Sequence, residues 1–252
     1  MSGPAEPAST ADPAAGKPSG LVTHYFADAK HGPLPALLLL LTIVTGLVDA
    51  ASILALGRVF VANMTGNVVF VGFALAGAPG FSLAGSIFAL VGFLVGALGA
   101  GAAITRMSVH RGRLLRDTAT AEFVLFVIAV IIAITAAPMG STARVGVAFV
   151  LAVALGLQNT SVRRLAVPDL TTTVLTMTLT GIAADIRQSS YAVAARRALS
   201  VLCMFAGAIV GAVLVLHVNV QTPLAIAAAL AGIVAIEAAV ASRHPAAWHD
   251  LS

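Results

Sequence analysis

The sequence predicts an all-α fold, a polytopic bundle of transmembrane helices. Hydrophobic residues make up 59% of the 252 residues and charged residues only 10%, with a mean hydropathy of +1.01, whereas a soluble domain carries about 25% charged residues. The apolar residues fall in blocks of the roughly 20 residues that a helix needs to cross about 30 Å of hydrocarbon. They do not alternate as the strands of a membrane barrel do. The composition therefore excludes a water-soluble fold.

The chain divides into two predicted tails and a membrane region between them. Residues 1–32 are rich in Ala, Pro, Ser and Gly, which predicts a disordered cytoplasmic tail. They contain no apolar stretch of the length that a signal peptide requires. Residues 33–143 are predicted to form a first membrane repeat and residues 144–243 a second. Residues 244–252 are predicted to be a cytoplasmic C-terminal tail.

Eight apolar segments follow the N-terminal tail, and two of them are too short to cross a bilayer in the usual way. The short ones are the second and the sixth, and each is entered through a polar run, NMTGN at residues 63–67 and TTT at residues 171–173. The eight segments lie at about 35–56, 64–78, 83–104, 119–137, 144–165, 172–186, 198–217 and 222–242.

The distribution of positive charge predicts whether the two short segments cross the membrane, because Lys and Arg in short loops are retained in the cytoplasm. If all eight segments cross, the 14 Lys and Arg residues divide equally between the two sides. If the second and sixth segments enter and return on the same side, only Arg58 and Arg144 fall outside. The charges therefore predict six full crossings, two short re-entrant or broken helices, and both termini in the cytoplasm.

An internal repeat agrees with this topology. Residues 46–50 (GLVDA) parallel residues 156–160 (GLQNT), and Gly96 matches Gly207 further on. Allowing one inserted residue, residues 60–65 align with residues 171–176. Each unit would hold three crossings and one half-helix, and an odd number of crossings turns the second unit upside down. The pattern predicts an inverted repeat, as in many secondary transporters.

The polar runs at the two short segments mark the predicted solute-binding site. Backbone that is not helical at membrane depth survives only where it is buried in protein or lines a cavity. A half-helix that starts at Met64 or Thr65 directs free N–H groups and a partial positive charge at its N-terminal side, which suits an anion or polar ligand. The alternative is that these side chains only bond neighbouring helices or their own i−4 carbonyls. The predicted site residues are Asn63, Thr65, Gly66, Asn67, Gln158, Asn159, Thr172, Thr173 and Thr176.

Few ionisable residues fall at membrane depth, and a carboxylate there is a candidate for function. Asp49 lies in the middle of the first apolar segment, and it is predicted to coordinate a coupling ion or take up a proton. Pairing with a helix end or with Arg58 is the alternative. Glu122 and Glu237 fall toward the cytoplasmic side, so we expect both to reach water. Asp185 lies near the end of the sixth segment.

Other kinds of chemistry find no support in the sequence. The net charge of +4 comes from arginines in short connections, which cytoplasmic retention explains, so nucleic-acid binding is not expected. The single cysteine, Cys203, can form no internal disulfide and is expected to be a small buried hydrophobe. No catalytic triad, zinc spacing or nucleotide fingerprint is present. We therefore expect neither an enzyme nor a cofactor or metal.

The strings GLVDA at 46–50, VFVANMTGN at 59–67, GLQN at 156–159 and TTTVLT at 171–176 resemble the YoaK family of bacterial inner-membrane proteins, which is named as a domain of unknown function. The resemblance covers roughly residues 35–242. It departs at Met177, where the family usually has glycine. The resemblance implies a membrane fold in the cell inner membrane but no substrate.

The function predicted from these features is that of a small secondary transporter or permease for a small polar or anionic solute. The alternative is a non-transporting membrane scaffold or assembly partner, whose small-residue faces around Gly96 and Gly207 would contact another subunit. The expected partners are the lipid bilayer and a small-molecule solute, and the sequence leaves a homo-oligomer open.

Overall fold

A computed structural model describes residues 31–106, 110–168, 170, 172–173, 175–184, 191–243 and 248. Most of both predicted tails therefore lies outside the described residues, as do Asp185 and Arg187. Within the described residues the chain forms eight α-helices. They are α1 (Leu34–Ala55), α2 (Met64–Leu75), α3 (Leu83–Arg106), α4 (Arg111–Thr135), α5 (Ser141–Leu165), α6 (Leu175–Ala184), α7 (Tyr191–His217) and α8 (Gln221–Ala241).

Three helix starts differ from the sequence prediction. Helix α4 begins at Arg111 rather than at 119, and α7 begins at Tyr191 rather than at 198. Both extensions are rich in arginine, which is a good helix former although it is not apolar. At α4 the ring of His110 also accepts a hydrogen bond from the Arg113 amide at 3.3 Å, which caps the helix. Helix α6 begins only at Leu175, and Thr172 and Thr173 before it are not helical.

Six of the helices are long and apolar enough to cross a membrane, namely α1, α3, α4, α5, α7 and α8. Helix α2 has 12 residues and α6 has 10, which correspond to about 18 Å and 15 Å at 1.5 Å per residue. Neither reaches across about 30 Å of hydrocarbon. The predicted bundle of six crossings with two short helices is confirmed.

The directions in which the helices pack distinguish six crossings from eight. Eight crossings would make α4 and α8 parallel, whereas six crossings make them antiparallel. The side chain of Gln221, at the start of α8, donates to the carbonyl of Ala133 near the end of α4 at 3.0 Å. Gly112, at the start of α4, lies against Ser242 just beyond the end of α8. The two helices are antiparallel, so α6 does not carry the chain across the bundle. On α7, Gly207 lies against Ile43 and Gly211 lies against Leu47 of α1, so α1 and α7 run parallel, and with α6 not crossing this requires that α2 does not cross either.

Glycines bring the long helices together in two matching pairs. Gly46 of α1 packs on Gly207 of α7, and Gly96 of α3 lies against the α5 backbone near Gly156. A Cβ added at any of the four would overlap a backbone carbonyl oxygen of the facing helix. These glycines therefore let two helix pairs, α1 with α7 and α3 with α5, approach to backbone contact.

Candidate functional site

The non-helical segment between α1 and α2 is buried inside the bundle. Leu56, Val59 and Val61 are buried and belong to the same apolar cluster as Val44 and Val48 of α1. Helix α2 itself is largely exposed along its apolar side chains, and Asn67 is its one buried residue. The chain therefore places irregular backbone in the protein interior and leaves the following helix facing lipid, which satisfies the requirement for buried polar backbone.

Asp49 holds this segment to the C-terminal half of α1. The backbone amide of Val61 donates to Oδ1 of Asp49 at 3.4 Å, and the Ala62 amide also interacts with the carboxylate. Arg58 is exposed, with its guanidinium beside Gly80, so the predicted alternative of an Asp49–Arg58 pair is wrong. The positive φ of Arg58 and of Gly57 (55° and 97°) turns the chain at this point and directs Val61 back toward α1.

Asn67 fastens the other end of the same segment. Its Oδ1 accepts from the Phe60 amide at 2.9 Å, and its Nδ2 donates to the Phe60 carbonyl at 2.6 Å. The side chain thus completes both backbone bonds of Phe60, as a neighbouring strand would. Asn63 caps α2 by accepting from the Gly66 amide at 3.4 Å, but its side chain is exposed. Asn67 therefore has a structural role in this polar run. A contact between Asn67 and solute stays a prediction.

Replacing Asn67 with alanine is expected to destabilise the protein by about 1–3 kcal/mol, because the amide and carbonyl of the half-buried Phe60 would lose their partners. Asn63→Ala is the matched control, since it removes one long, exposed bond and should cost only about 0.5 kcal/mol, the low end of the range for a lost helix cap. Thermal unfolding in detergent, followed by loss of the monodisperse chromatographic peak, measures both variants. Equal unfolding temperatures for the two variants would contradict the assignment of Asn67.

A second polar anchor lies on α5, one residue before the position that the repeat places opposite Asp49. The Nε2 of Gln158 donates to the hydroxyl of Thr172 at 2.7 Å and to the hydroxyl of Thr45 on α1 at 3.1 Å. Gln158 is fully buried, Thr172 and Thr173 are buried, and Thr176 is exposed. The segment before α6 is thus held by α5 as the segment before α2 is held by α1.

The predicted site residues therefore fall into two groups rather than one. Helix α2 packs on α3 and α6 packs on α7, so neither short helix packs extensively on the other. Asn63 and Thr65 are exposed and Gly66 is half-buried. Asn159, the residue that the repeat places opposite Asp49, is half-buried, and its amide makes no hydrogen bond to any described residue.

A polar layer crosses the centre of the bundle between two apolar clusters. One cluster contains Val44, Phe126 and Leu155, and the other contains Leu38, Leu115 and Val162. Between the two clusters, helices α1, α4 and α5 each carry polar residues that the sequence did not predict to lie together. We call these residues the central polar layer, and they are Thr42, Thr45, Thr118, Glu122, Gln158 and Ser161, all buried.

Glu122 corrects one prediction and Glu237 agrees with the other. Glu237 is exposed, in agreement with the expectation that its side chain reaches water. Glu122 is 0% exposed, and neither of its carboxylate oxygens has a hydrogen-bond partner. The expectation that Glu122 reaches water is wrong, because its face of α4 packs between α5 and α8. The position of Glu122 near the arginine-rich start of α4 does not show which way its side chain points.

Three grooves on the bundle have volumes of about 640, 520 and 830 Å³. Their walls are mainly apolar, and none of the three is lined by a predicted site residue. They lie between neighbouring long helices. A solute site must therefore be argued from the anchored segments and not from these grooves.

Comparison with known proteins finds a family model described as "Protein of unknown function (DUF1275)", which matches residues 37–236. The match starts in α1 and ends in α8, so it includes both short helices. A curated protein of Bacillus subtilis (strain 168), "UPF0700 transmembrane protein YoaK", is 31% identical over 153 residues. The alignment covers 60% of this chain and 66% of that relative, slightly less than two thirds of its length. No solved structure matches the chain.

Proposed function

Because the chain is a multi-pass integral membrane protein that belongs to the DUF1275 family of proteins of unknown function, we propose that it is a small secondary transporter or permease. The membership confirms the resemblance to the YoaK family. The solute we propose is small and polar or anionic. The protein would lie in the cell inner membrane with both termini in the cytoplasm, and its role is not enzymatic.

One observation carries this proposal. Two non-helical segments enter the bundle interior, each is anchored to the C-terminal half of a long helix, and each is followed by a short helix. Secondary transporters build their substrate sites from such broken helices, whose N-terminal ends point at polar or anionic groups. A scaffold that only packs against lipid and other subunits has no need of irregular backbone at this depth.

The pairing of helices supports an inverted repeat of α1–α4 with α5–α8. Exchanging the two units turns the α1–α7 pair into α5–α3, α4–α5 into α8–α1, and α2–α3 into α6–α7, and all six of these pairs pack together. The glycine pairs exchange in the same way. Val61 and Thr172 are also equivalent, and each is bonded from the preceding long helix, by Asp49 in one unit and in the other by Gln158, one residue before the position equivalent to Asp49. Asn67 then corresponds to Thr178, which is also buried.

The proposed solute site keeps the residues of the two anchored segments. Asn159 has an open amide and is the residue we expect to contact solute most directly. Asp49 would bind the coupling ion or proton. A proton on its carboxylate would weaken the charge-assisted bond from the Val61 amide, so uptake there would loosen the segment before α2. The remaining proposed residues are Asn63, Thr65, Gly66, Asn67, Gln158, Thr172, Thr173 and Thr176.

A solute-retention experiment tests the proposal. The purified protein in lipid nanodiscs is mixed with a uniformly ¹³C-labelled metabolite extract, separated by gel filtration, and the retained labelled solutes are identified by mass spectrometry. We expect one small polar or anionic solute to be enriched over empty nanodiscs and to accumulate in proteoliposomes that contain the protein. Asn159→Leu should reduce its retention at least about 10-fold, the loss that about 1.4 kcal/mol of binding energy gives.

Thr135→Ala is the matched control, because its exposed hydroxyl bonds only within α4. It should retain the solute as the unmodified protein does. Absence of any enriched solute would overturn the transporter proposal. The scaffold alternative would then be favoured, although Gly96 and Gly207 are already occupied by contacts within the chain and so cannot provide its interface.

A further inference from the structure

Glu122 lies at the centre of the bundle with an unpartnered carboxyl group. The residue is 0% exposed, and both oxygens lack a hydrogen-bond partner. A carboxylate ion that is separated from water and from any cation is strongly disfavoured in a protein interior. The group therefore requires either a proton or a bound cation.

A second buried acceptor lies in the same layer and also lacks a donor. Oε1 of Gln158 has no hydrogen-bond partner. Its orientation is fixed by the neighbouring threonine, because the hydroxyl of Thr45 donates to the Leu41 carbonyl at 2.9 Å and can only accept from Gln158. Nε2 must then face Thr45, and Oε1 must point away from it. An atom that donates a hydrogen bond is missing beside Oε1.

Helix register places these two acceptors at the same depth. Helices α4 and α5 are antiparallel, and the hydroxyl of Thr118 donates to that of Ser161 at 2.7 Å. One turn further along α4 is Glu122, and one turn back along α5 is Gln158. Residues three or four apart lie on one face of a helix, and both residues are fully buried.

We infer that Glu122 binds a proton in the central polar layer and, when protonated, donates a hydrogen bond to Oε1 of Gln158. A proton from water adds to one carboxylate oxygen and forms the O–H bond, and release returns the proton to water. The hydroxyls of Thr118 and Ser161 lie one turn nearer to the arginine-rich start of α4 and give the proton polar groups on that side. The proton site does not depend on the proposed transport of a solute.

The helices that pack on α4 present no charge to Glu122 within the described residues. On α5 the charged residues are exposed, and on α8 Glu237 is exposed as well. On α1, Asp49 faces the segment before α2. On α4 itself, Arg111 is buried but three turns away, where its guanidinium donates to the Leu165 carbonyl. The charged residues of α5 are Arg144, Arg163 and Arg164, and the other charged residues of α4 are Arg113, Arg116 and Asp117.

Infrared spectroscopy with labelled glutamate tests this inference. The chain has three glutamates, Glu6, Glu122 and Glu237, so ¹³C-glutamate shifts few carboxyl bands. At neutral pH we expect a protonated carboxylic acid band that shifts with the label. It should persist in Glu237→Gln and vanish in Glu122→Gln, which has nearly the same shape. In Gln158→Leu the band should move to higher frequency, because the acceptor of its hydrogen bond is gone.

Sodium distinguishes a proton from a metal cation. The band should be the same in sodium and in choline buffers. Loss of the band on adding sodium would show a cation site and overturn the inference, as would the absence of a labelled acid band at neutral pH in the unmodified protein. If Glu122→Gln does not fold, Gln158→Leu and the labelled unmodified protein still decide the question. Because no solute is added, the result is independent of the retention experiment.

Discussion

Replacing Gly96 with alanine is expected to destabilise the bundle by about 1–3 kcal/mol, the usual cost of forcing extra volume into a packed interior. The added methyl group would overlap the carbonyl oxygen of Val153 on α5. Backbone cannot move aside as the end of a flexible side chain can. Helices α3 and α5 would have to separate along their whole contact, and the unfolding temperature in detergent or nanodiscs should fall clearly.

The same helix supplies the control. A methyl group at Gly99 would meet no atom within 4 Å, so Gly99→Ala should leave stability unchanged or raise it slightly, since alanine is the better helix former by about 0.8–1.0 kcal/mol. Gly207→Ala should behave as Gly96→Ala does, because it faces the carbonyl of Ile43 on α1. Equal stability of the Gly96 and Gly99 variants would show that α3 and α5 are not in backbone contact.

Sequence alone predicted the number of crossings and the two short helices. Both features depend on local quantities, the length of apolar runs and the position of arginines between them, which a reader of the sequence can count. The repeat also identified Gly46 with Gly156 and Gly96 with Gly207. Which glycine meets which helix was not predictable, because small residues are common in all of these segments and only the assembled bundle decides the pairs.

The candidate site was predicted less completely. Asn67 was predicted as a site residue from its polar run. The sequence cannot show that the side-chain amide of Asn67 bonds both the backbone N–H and the carbonyl of Phe60. Glu122 was read as a residue near water because it follows an arginine-rich stretch. Its direction depends on where α8 packs, which is a contact between residues far apart in the chain. The hydrogen bond from Gln158 to Thr45 also joins residues far apart in the chain, so no local sequence pattern predicts it.

The strongest test of the architecture is the side of the membrane on which each end of α4 and α5 lies. The structure brings the start of α4 next to the end of α5, through Arg111 and Leu165, and next to the end of α8, through Gly112 and Ser242. These ends must share one face of the membrane. Because most of the arginines lie at this face, the positive-inside rule predicts that it is cytoplasmic.

Single cysteines introduced at Arg113 and at Ser141 in a Cys203→Ala background are therefore expected to label differently with an impermeant thiol reagent on intact cells. Both side chains are exposed, so access to the reagent depends on the side and not on burial. Ser141, at the start of α5, should label from outside, and Arg113 should label only after the membrane is permeabilised. The third informative position, Ser189, lies outside the described residues and should behave as Arg113 does.

Labelling at Arg113 from outside would mean that α2 carries the chain across the membrane. The parallel packing of α1 with α7, given that α6 does not cross, and the inverted repeat would then both be wrong, because each needs α2 to return to the side from which it enters.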